Sequence, residues 1–119
     1  MNIRKGSGST TLFNIKGDDL REGTGSSVLF NISGNNIRKG TSSTTMLNVR
    51  GNDIREGTGS TTLLNIKGND IRKGTGSSVL FNISGNNIRK GTGSSTIYNT
   101  TGRLNTQQIA VILLALGEL

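Results

Sequence analysis

The sequence contains no cysteine and no histidine, and only 3% of its residues are aromatic. Without cysteine the chain has no disulfide and no thiolate metal site, and cysteine usage does not indicate whether its compartment is oxidising or reducing. Without histidine it lacks the commonest general base and the commonest metal ligand. The few aromatic side chains leave little on which bases could stack, which disfavours nucleic acid as a partner.

Hydrophobic residues are also few, at 30% of the chain, while glycine contributes 18 residues. Such a composition ordinarily indicates disorder, but a regularly repeated apolar pattern can build one continuous core from small contributions. The net charge is +7, from 14 Lys and Arg against 7 Asp and Glu. This excess favours an acidic partner, such as anionic lipid or another polyanion, although it also serves solubility alone.

No apolar run reaches the roughly 20 residues that span a bilayer. The chain runs from Met1 directly into its first repeat, so we expect no signal peptide and a cytoplasmic location. The length predicts one domain, residues 1–119.

Six copies of one 17-residue unit fill residues 2–103, and they begin at Asn2, Asp19, Asn36, Asp53, Asp70 and Asn87. Arg stands third and Asn thirteenth in every unit, and Gly stands fifth and sixteenth. The segment 23–35 recurs unchanged as 74–86, which indicates duplication of a three-unit block, by recent amplification or by design.

Each unit predicts a β-hairpin. Positions 8 to 14 are rich in β-branched and apolar residues, and the Gly-Asn or Gly-Asp pair of positions 16 and 17 suits a two-residue turn. Such a turn sets position 14 opposite position 2 of the next unit, so that Ile15 faces Leu20 and Val49 faces Ile54. Positions 2, 12 and 14, and in some units position 10, then point inward, and the Arg of position 3 and the Asn of position 13 point outward.

Position 11 does not fit this register, because it is apolar in every unit and yet falls on the outward face. Either the protein carries an exposed apolar band, or the register slips by one residue and the two faces exchange. We favour the first register and interpret the band as a contact surface, formed by Leu12, Leu29, Met46, Leu63, Leu80 and Ile97.

The tail, residues 104–119, breaks the repeat and predicts a helix over 109–116 that is apolar on all sides. Asn105 or Thr106 can cap its start, and Gly117 can end it. A helix of this kind must be buried all round. We therefore predict an all-β tandem repeat in which about twelve antiparallel strands close into a barrel around the C-terminal helix.

This order of elements resembles the tubby-like fold, which is shared by tubby proteins, phospholipid scramblases and LURP-one-related proteins. The resemblance lies in the six hairpin units and the terminal helix, without a matching sequence motif. It implies a membrane-surface protein that uses its arginines for anionic lipid headgroups. Two other architectures stay open: a β-solenoid capped by the helix, with Asn ladders inside, and a propeller-like toroid.

The chain offers little for catalysis, because its Ser and Thr lack a histidine partner and its one adjacent acidic pair, Asp18 and Asp19, lies in a turn. We expect no enzyme, cofactor or metal. The candidate anion-binding residues are the repeated arginines, Arg4, Arg21, Arg38, Arg55, Arg72 and Arg89. The predicted role is a non-catalytic structural or binding module, with anionic lipid binding and self-assembly into a fibre or surface layer as alternatives.

Overall fold

A computed structural model describes residues 1–119, which form twelve strands and one helix. Six short strands begin the units: β1 (Asn2–Lys5), β3 (Asp19–Glu22), β5 (Asn36–Lys39), β7 (Asp53–Glu56), β9 (Asp70–Lys73) and β11 (Asn87–Lys90). Six longer strands follow them: β2 (Thr11–Lys16), β4 (Val28–Ser33), β6 (Thr45–Arg50), β8 (Thr62–Lys67), β10 (Val79–Ser84) and β12 (Thr96–Thr100). The helix is α1 (Thr106–Ala115).

The strands form one closed antiparallel barrel in which each strand pairs with its neighbours in sequence and β12 returns to pair with β1. The predicted barrel is confirmed, and the solenoid and toroid alternatives are wrong. Closure satisfies the backbone groups that the first and last strands would otherwise leave unpaired.

The pairing of β12 with β1, which closes the ring, matches residues in the same way as the pairing of two strands joined by a Gly-Asn or Gly-Asp turn. Arg4 faces Asn99 across β1 and β12, just as Arg21 faces Asn14 across β3 and β2. Six equivalent interfaces therefore surround the barrel, and one of them joins the two ends of the chain.

The hairpin register is the one expected from the turns: Ile15 faces Leu20 and Val49 faces Ile54. In each of the first five turns the glycine has a φ between 58° and 63°, whereas no residue other than glycine has a positive φ. Positive φ at the first loop residue alone fits a type II′ turn, whose twist matches that of the flanking strands.

A β-bulge explains the apolar position 11, and the exposed band predicted there is wrong. Between β3 and β4, Leu20 faces Phe30 while Arg21 faces Val28, so Leu29 is an extra residue without a partner. The same shift recurs in every unit. The six residues are half-buried, and all but Leu12 pack against the core. Neither the register slip nor the exposed band is needed once the strand bulges.

The core consists of position 2 of every unit, half of the residues at positions 12 and 14, and the middle of the helix. The position-2 side chains are between 0% and 2% exposed in all six units. In α1 the five consecutive residues 109–113 are 6% exposed or less. Because five residues cover more than one full helical turn, this helix is enclosed on every side, as its apolar sequence predicts.

The helix runs through the barrel from one end to the other. At its start, Gln107 donates a hydrogen bond of 3.0 Å to the side chain of Asn35, which lies in a Gly-Asn turn. Asn105 is the N-cap and forms a capping box with Gln108. Past its end, Glu118 lies beside Lys90, at the barrel end formed by the longer Gly-rich loops.

Candidate anion-binding belt

The six repeated arginines lie on the outer wall of the barrel, one on each short strand. Each follows the fully buried position-2 residue, so the alternation of a strand turns its side chain outward. Each faces the position-13 Asn of the preceding long strand, as Arg38 faces Asn31. The structure thus brings the six predicted residues into one belt around the wall, with no cluster at a single point.

Each arginine of this belt is half-buried, and its Nε atom is covered without a hydrogen-bond partner. None of the side-chain hydrogen bonds in the protein is donated by a guanidinium group. A buried donor that lacks a partner is uncommon and calls for an explanation. The covered Nε itself cannot reach an outside anion, but the two Nη atoms are not covered and keep their donors for carboxylate, sulfate or phosphate oxygens.

The belt also carries nearly all of the net charge. Removing its six arginines from the 14 basic residues leaves eight, against seven acidic residues, so the belt supplies six of the seven net positive charges. The remaining charges nearly cancel.

Part of this cancellation occurs at the end of each hairpin, where position 15 faces position 1 of the next unit. Lys16 faces Asp19, Arg50 faces Asp53 and Lys67 faces Asp70. Where position 15 is serine the facing residue is asparagine, as at Ser33–Asn36 and Ser84–Asn87. Opposite charges thus face each other on the wall, and the sequence carries the signal as a paired change between two positions three residues apart at a turn.

The charged side chains of position 4, which vary in sign, lie apart from these pairs. They face the apolar position 12 of the preceding strand, as Glu22 faces Phe13 and Lys90 faces Phe81. They are exposed, at the end of the barrel where α1 ends. The four lysines and two glutamates of position 4 form a rim around that end: Lys5, Glu22, Lys39, Glu56, Lys73 and Lys90.

The repeated asparagine of position 13 has a structural role that the sequence reasoning missed. Its Nδ2 donates to the carbonyl of the position-5 Gly in the next unit at 2.7–2.8 Å, and to the position-7 carbonyl at 3.0–3.2 Å. Asn99 closes the ring with the same two bonds, to Gly6 and Gly8. The joint repetition of this Asn and that Gly was the signal available in the sequence.

Little else in the structure is arranged for chemistry. Asp18 is exposed in its turn, and Asp19 faces Lys16 across the hairpin. No group of three or more acidic residues is placed to hold a metal ion. The single Tyr98 has its pKa raised above 10.0, chiefly by burial and also by the nearby carboxylate of Glu118.

The only helix, of 10 residues, is too short to cross a membrane. Comparison of the chain with protein-family models, with curated proteins and with solved structures finds no match.

Proposed function

We propose that this chain is a non-catalytic binding module whose belt of six arginines contacts an extended anionic partner. The observation that carries the proposal is the belt itself: six guanidinium groups at equivalent places on the wall, whose uncovered Nη atoms form no hydrogen bond within the protein. The cytoplasmic location expected from the sequence stays a prediction.

Six equal and separated contacts suit a partner that carries many anionic groups. One exposed ion pair contributes only about 0–1 kcal/mol, so a single small anion would gain little at any one arginine. A chain with many anionic oxygens engages several arginines at once, and each further contact is intramolecular. Binding of this kind weakens steeply as salt is added.

The shape of the protein favours a flexible partner over a flat one. The molecule measures 37 × 35 × 20 Å, a thick disc whose short dimension fits the roughly 15 Å of a ten-residue helix. The belt therefore lies on a curved wall. A flat bilayer meets only the few arginines on one side of such a wall, whereas a flexible polymer can follow it.

Calorimetric titration with a sulfated oligosaccharide and with a polyphosphate chain, at 50 and 300 mM salt, tests the proposal. The variant R4Q/R38Q/R72Q neutralises every second arginine of the belt. The matched control K16Q/R50Q/K67Q removes the same amount of charge from the hairpin ends. We expect the belt variant to weaken binding at least tenfold and the control to weaken it less than about twofold. Equal losses in the two variants would show that net charge alone is responsible.

A second candidate is binding to anionic membrane surfaces. A closed twelve-stranded barrel around a C-terminal helix is the element order of the tubby-like fold, and this order supports the candidate. Flotation with vesicles containing phosphatidylserine, at low salt, tests it. Absence of binding, or binding that R4Q/R38Q/R72Q leaves unchanged, removes this candidate.

Self-assembly, the third role expected from the sequence, has lost the surface on which it depended. The residues of position 11 are half-buried, and Leu119 is the only exposed large hydrophobic residue. Measurement of molecular size at increasing concentration tests this role directly.

A further inference from the structure

The helix does not fill the barrel evenly. It packs closest against β4, β5 and β6. In a ring of twelve strands, β10, β11 and β12 lie on the opposite side. A cavity of about 550 Å³ opens there, at the barrel end where α1 stops, lined by Leu80, Phe81, Lys90, Ile97 and Glu118. The cavity thus lies on the side of the barrel that the helix contacts least.

The wall of this cavity is apolar because of the bulges. Leu80 and Ile97 are the extra residues of the bulges in β10 and β12, and both pack against the core from a half-buried position. Phe81 follows Leu80 and is 6% exposed. Together the three side chains offer a hydrophobic surface beside the charged rim.

The charge at the mouth of the cavity follows from the closure of the ring. Lys73 and Lys90 belong to the fifth and sixth units, and closure places Lys5 of the first unit next to them. Three successive rim positions on this side are therefore lysine. On the far side of the rim, Lys39 stands between Glu22 and Glu56, so the charge alternates there.

The chain itself also places a carboxylate at this cavity. Glu118 lines the cavity together with Lys90. The tail that carries it is held by two backbone bonds, from Gly117 to Leu114 and from Glu118 to Leu113, and Glu118 itself is exposed. Its carboxylate therefore lies on the same side of the barrel as Lys90, without a salt bridge that holds it there.

We propose that this cavity binds a single-chain anionic amphiphile, such as a fatty-acid carboxylate. Its apolar chain packs against Leu80, Phe81 and Ile97, and its carboxylate lies at Lys90, flanked by Lys5 and Lys73. Glu118 acts as an internal competitor that the ligand's anionic group displaces. This site is separate from the arginine belt, which lies on the outer wall.

Titration of the full chain with decanoate, below its micelle concentration and at low salt, tests the proposal. The chain has one Tyr and no Trp, so its intrinsic fluorescence reports on Tyr98, which pairs with Lys5 and lies near Glu118. We expect a saturable change in this fluorescence and a matching heat signal in calorimetry. Acetate, which has the same headgroup without the chain, should give neither.

Three variants test how single charged side chains contribute to decanoate binding. Lys90→Gln should weaken decanoate binding about fivefold, the size expected for one partly exposed charge contact. Lys39→Gln removes the equivalent lysine on the opposite side and should leave binding unchanged. Glu118→Gln should tighten binding about fivefold, because it removes the competing carboxylate.

Several results would overturn the proposal. No saturable signal in either the native chain or the Glu118→Gln variant removes the site. Equal losses in Lys90→Gln and Lys39→Gln show an unspecific effect of charge. Unchanged affinity in Glu118→Gln contradicts the competition by the tail.

Discussion

The six units are equivalent on the outer wall of the barrel but not in its interior. On the wall the six units are equivalent: the same Arg faces the same Asn, and the same Asn bonds the same loop, around the whole ring. In the interior one helix packs against one side of the barrel, so the units meet different surroundings. A repeat can therefore be symmetric in its hydrogen bonds and asymmetric in its packing.

Positions 12 and 13, which are neighbours in every unit, show this difference between the interior and the wall. It is Phe, Phe, Leu, Leu, Phe and Tyr in successive units, while its neighbour at position 13 is always Asn. The two leucines, Leu47 and Leu64, are each 2% exposed, whereas Phe13, Phe30 and Tyr98 stay half-buried. The side chains that satisfy the backbone of the next unit are thus uniform, whereas those of position 12 vary in size and in burial.

Deleting residues 104–119 should have the largest effect. The helix contributes five nearly inaccessible residues to the core, among them Val111, Ile112 and Leu113. At about 1.5–3 kcal/mol for each large apolar side chain, their loss approaches the 5–15 kcal/mol that holds a typical domain folded. We expect the truncated chain to lose its cooperative unfolding transition in circular dichroism.

Deleting only the exposed residues 117–119 is the matched control and should leave that transition in place. A truncated chain lacking 104–119 that stays a stable monomer would show that the wall closes without its filler.

Truncation of a position-2 side chain should have the second largest effect on stability, and the loss should differ between the two sides of the barrel. Ile37 lies in β5 beside the helix, and Ile88 lies in β11 on the opposite side of the ring. We expect Ile37→Ala to lower the free energy of unfolding by about 4 kcal/mol and Ile88→Ala by about 2 kcal/mol. The difference should arise because Ile88 gives up fewer packing contacts. Urea denaturation measures both, and equal losses would argue against an off-centre helix.

Removal of a position-13 side chain should have a smaller and uniform effect. Asn48→Ala deletes two hydrogen bonds to the next loop and should lower the free energy of unfolding by about 1–3 kcal/mol. Asn14→Ala and Asn82→Ala should match it, since their bonds are equivalent. A spread greater than about 1 kcal/mol among the three, measured by urea denaturation, would mean that the wall is not symmetric.

Exchange of the charges at a hairpin end should have the smallest effect. Lys16→Ser alone leaves Asp19 facing an uncharged residue, and the double change K16S/D19N recreates the Ser–Asn pair found at Ser33 and Asn36. We expect a loss of less than about 1 kcal/mol from the single change and its recovery in the double change. Thermal melting at low and high salt measures both. Absence of recovery would mean that the paired variation of these positions has no energetic basis.

Most of the fold could be predicted from the sequence, because turn chemistry and period-2 alternation fix the register. Ile15 opposite Leu20 follows from a two-residue turn, and burial of the helix follows from its uniformly apolar surface. The bulge was missed, since an extra residue interrupts the alternation on which the prediction rests. Leu29 then looked like part of an exposed band, although it packs against the core.

The candidate sites were less accessible to prediction. The repeated Arg could be found in the sequence, but the covered state of its Nε depends on neighbouring strands. The cavity depends on where the helix sits in the barrel, and the run of lysines at its mouth depends on the contact between Lys5 and the last unit. Both follow from contacts between residues far apart in the chain.

Closure of the ring between β1 and β12 can be observed directly by nuclear Overhauser measurements on the intact protein. Residues near the two ends of the repeat region are paired, Ile3 with Thr100 and Lys5 with Tyr98. We predict strong interstrand contacts between the backbone protons of Ile3 and Arg4 and those of Asn99 and Thr100, with helix methyl groups near the side chain of Ile37. Spectra in which each unit contacts only its sequence neighbours, and the first unit never contacts the sixth, would contradict the closed barrel.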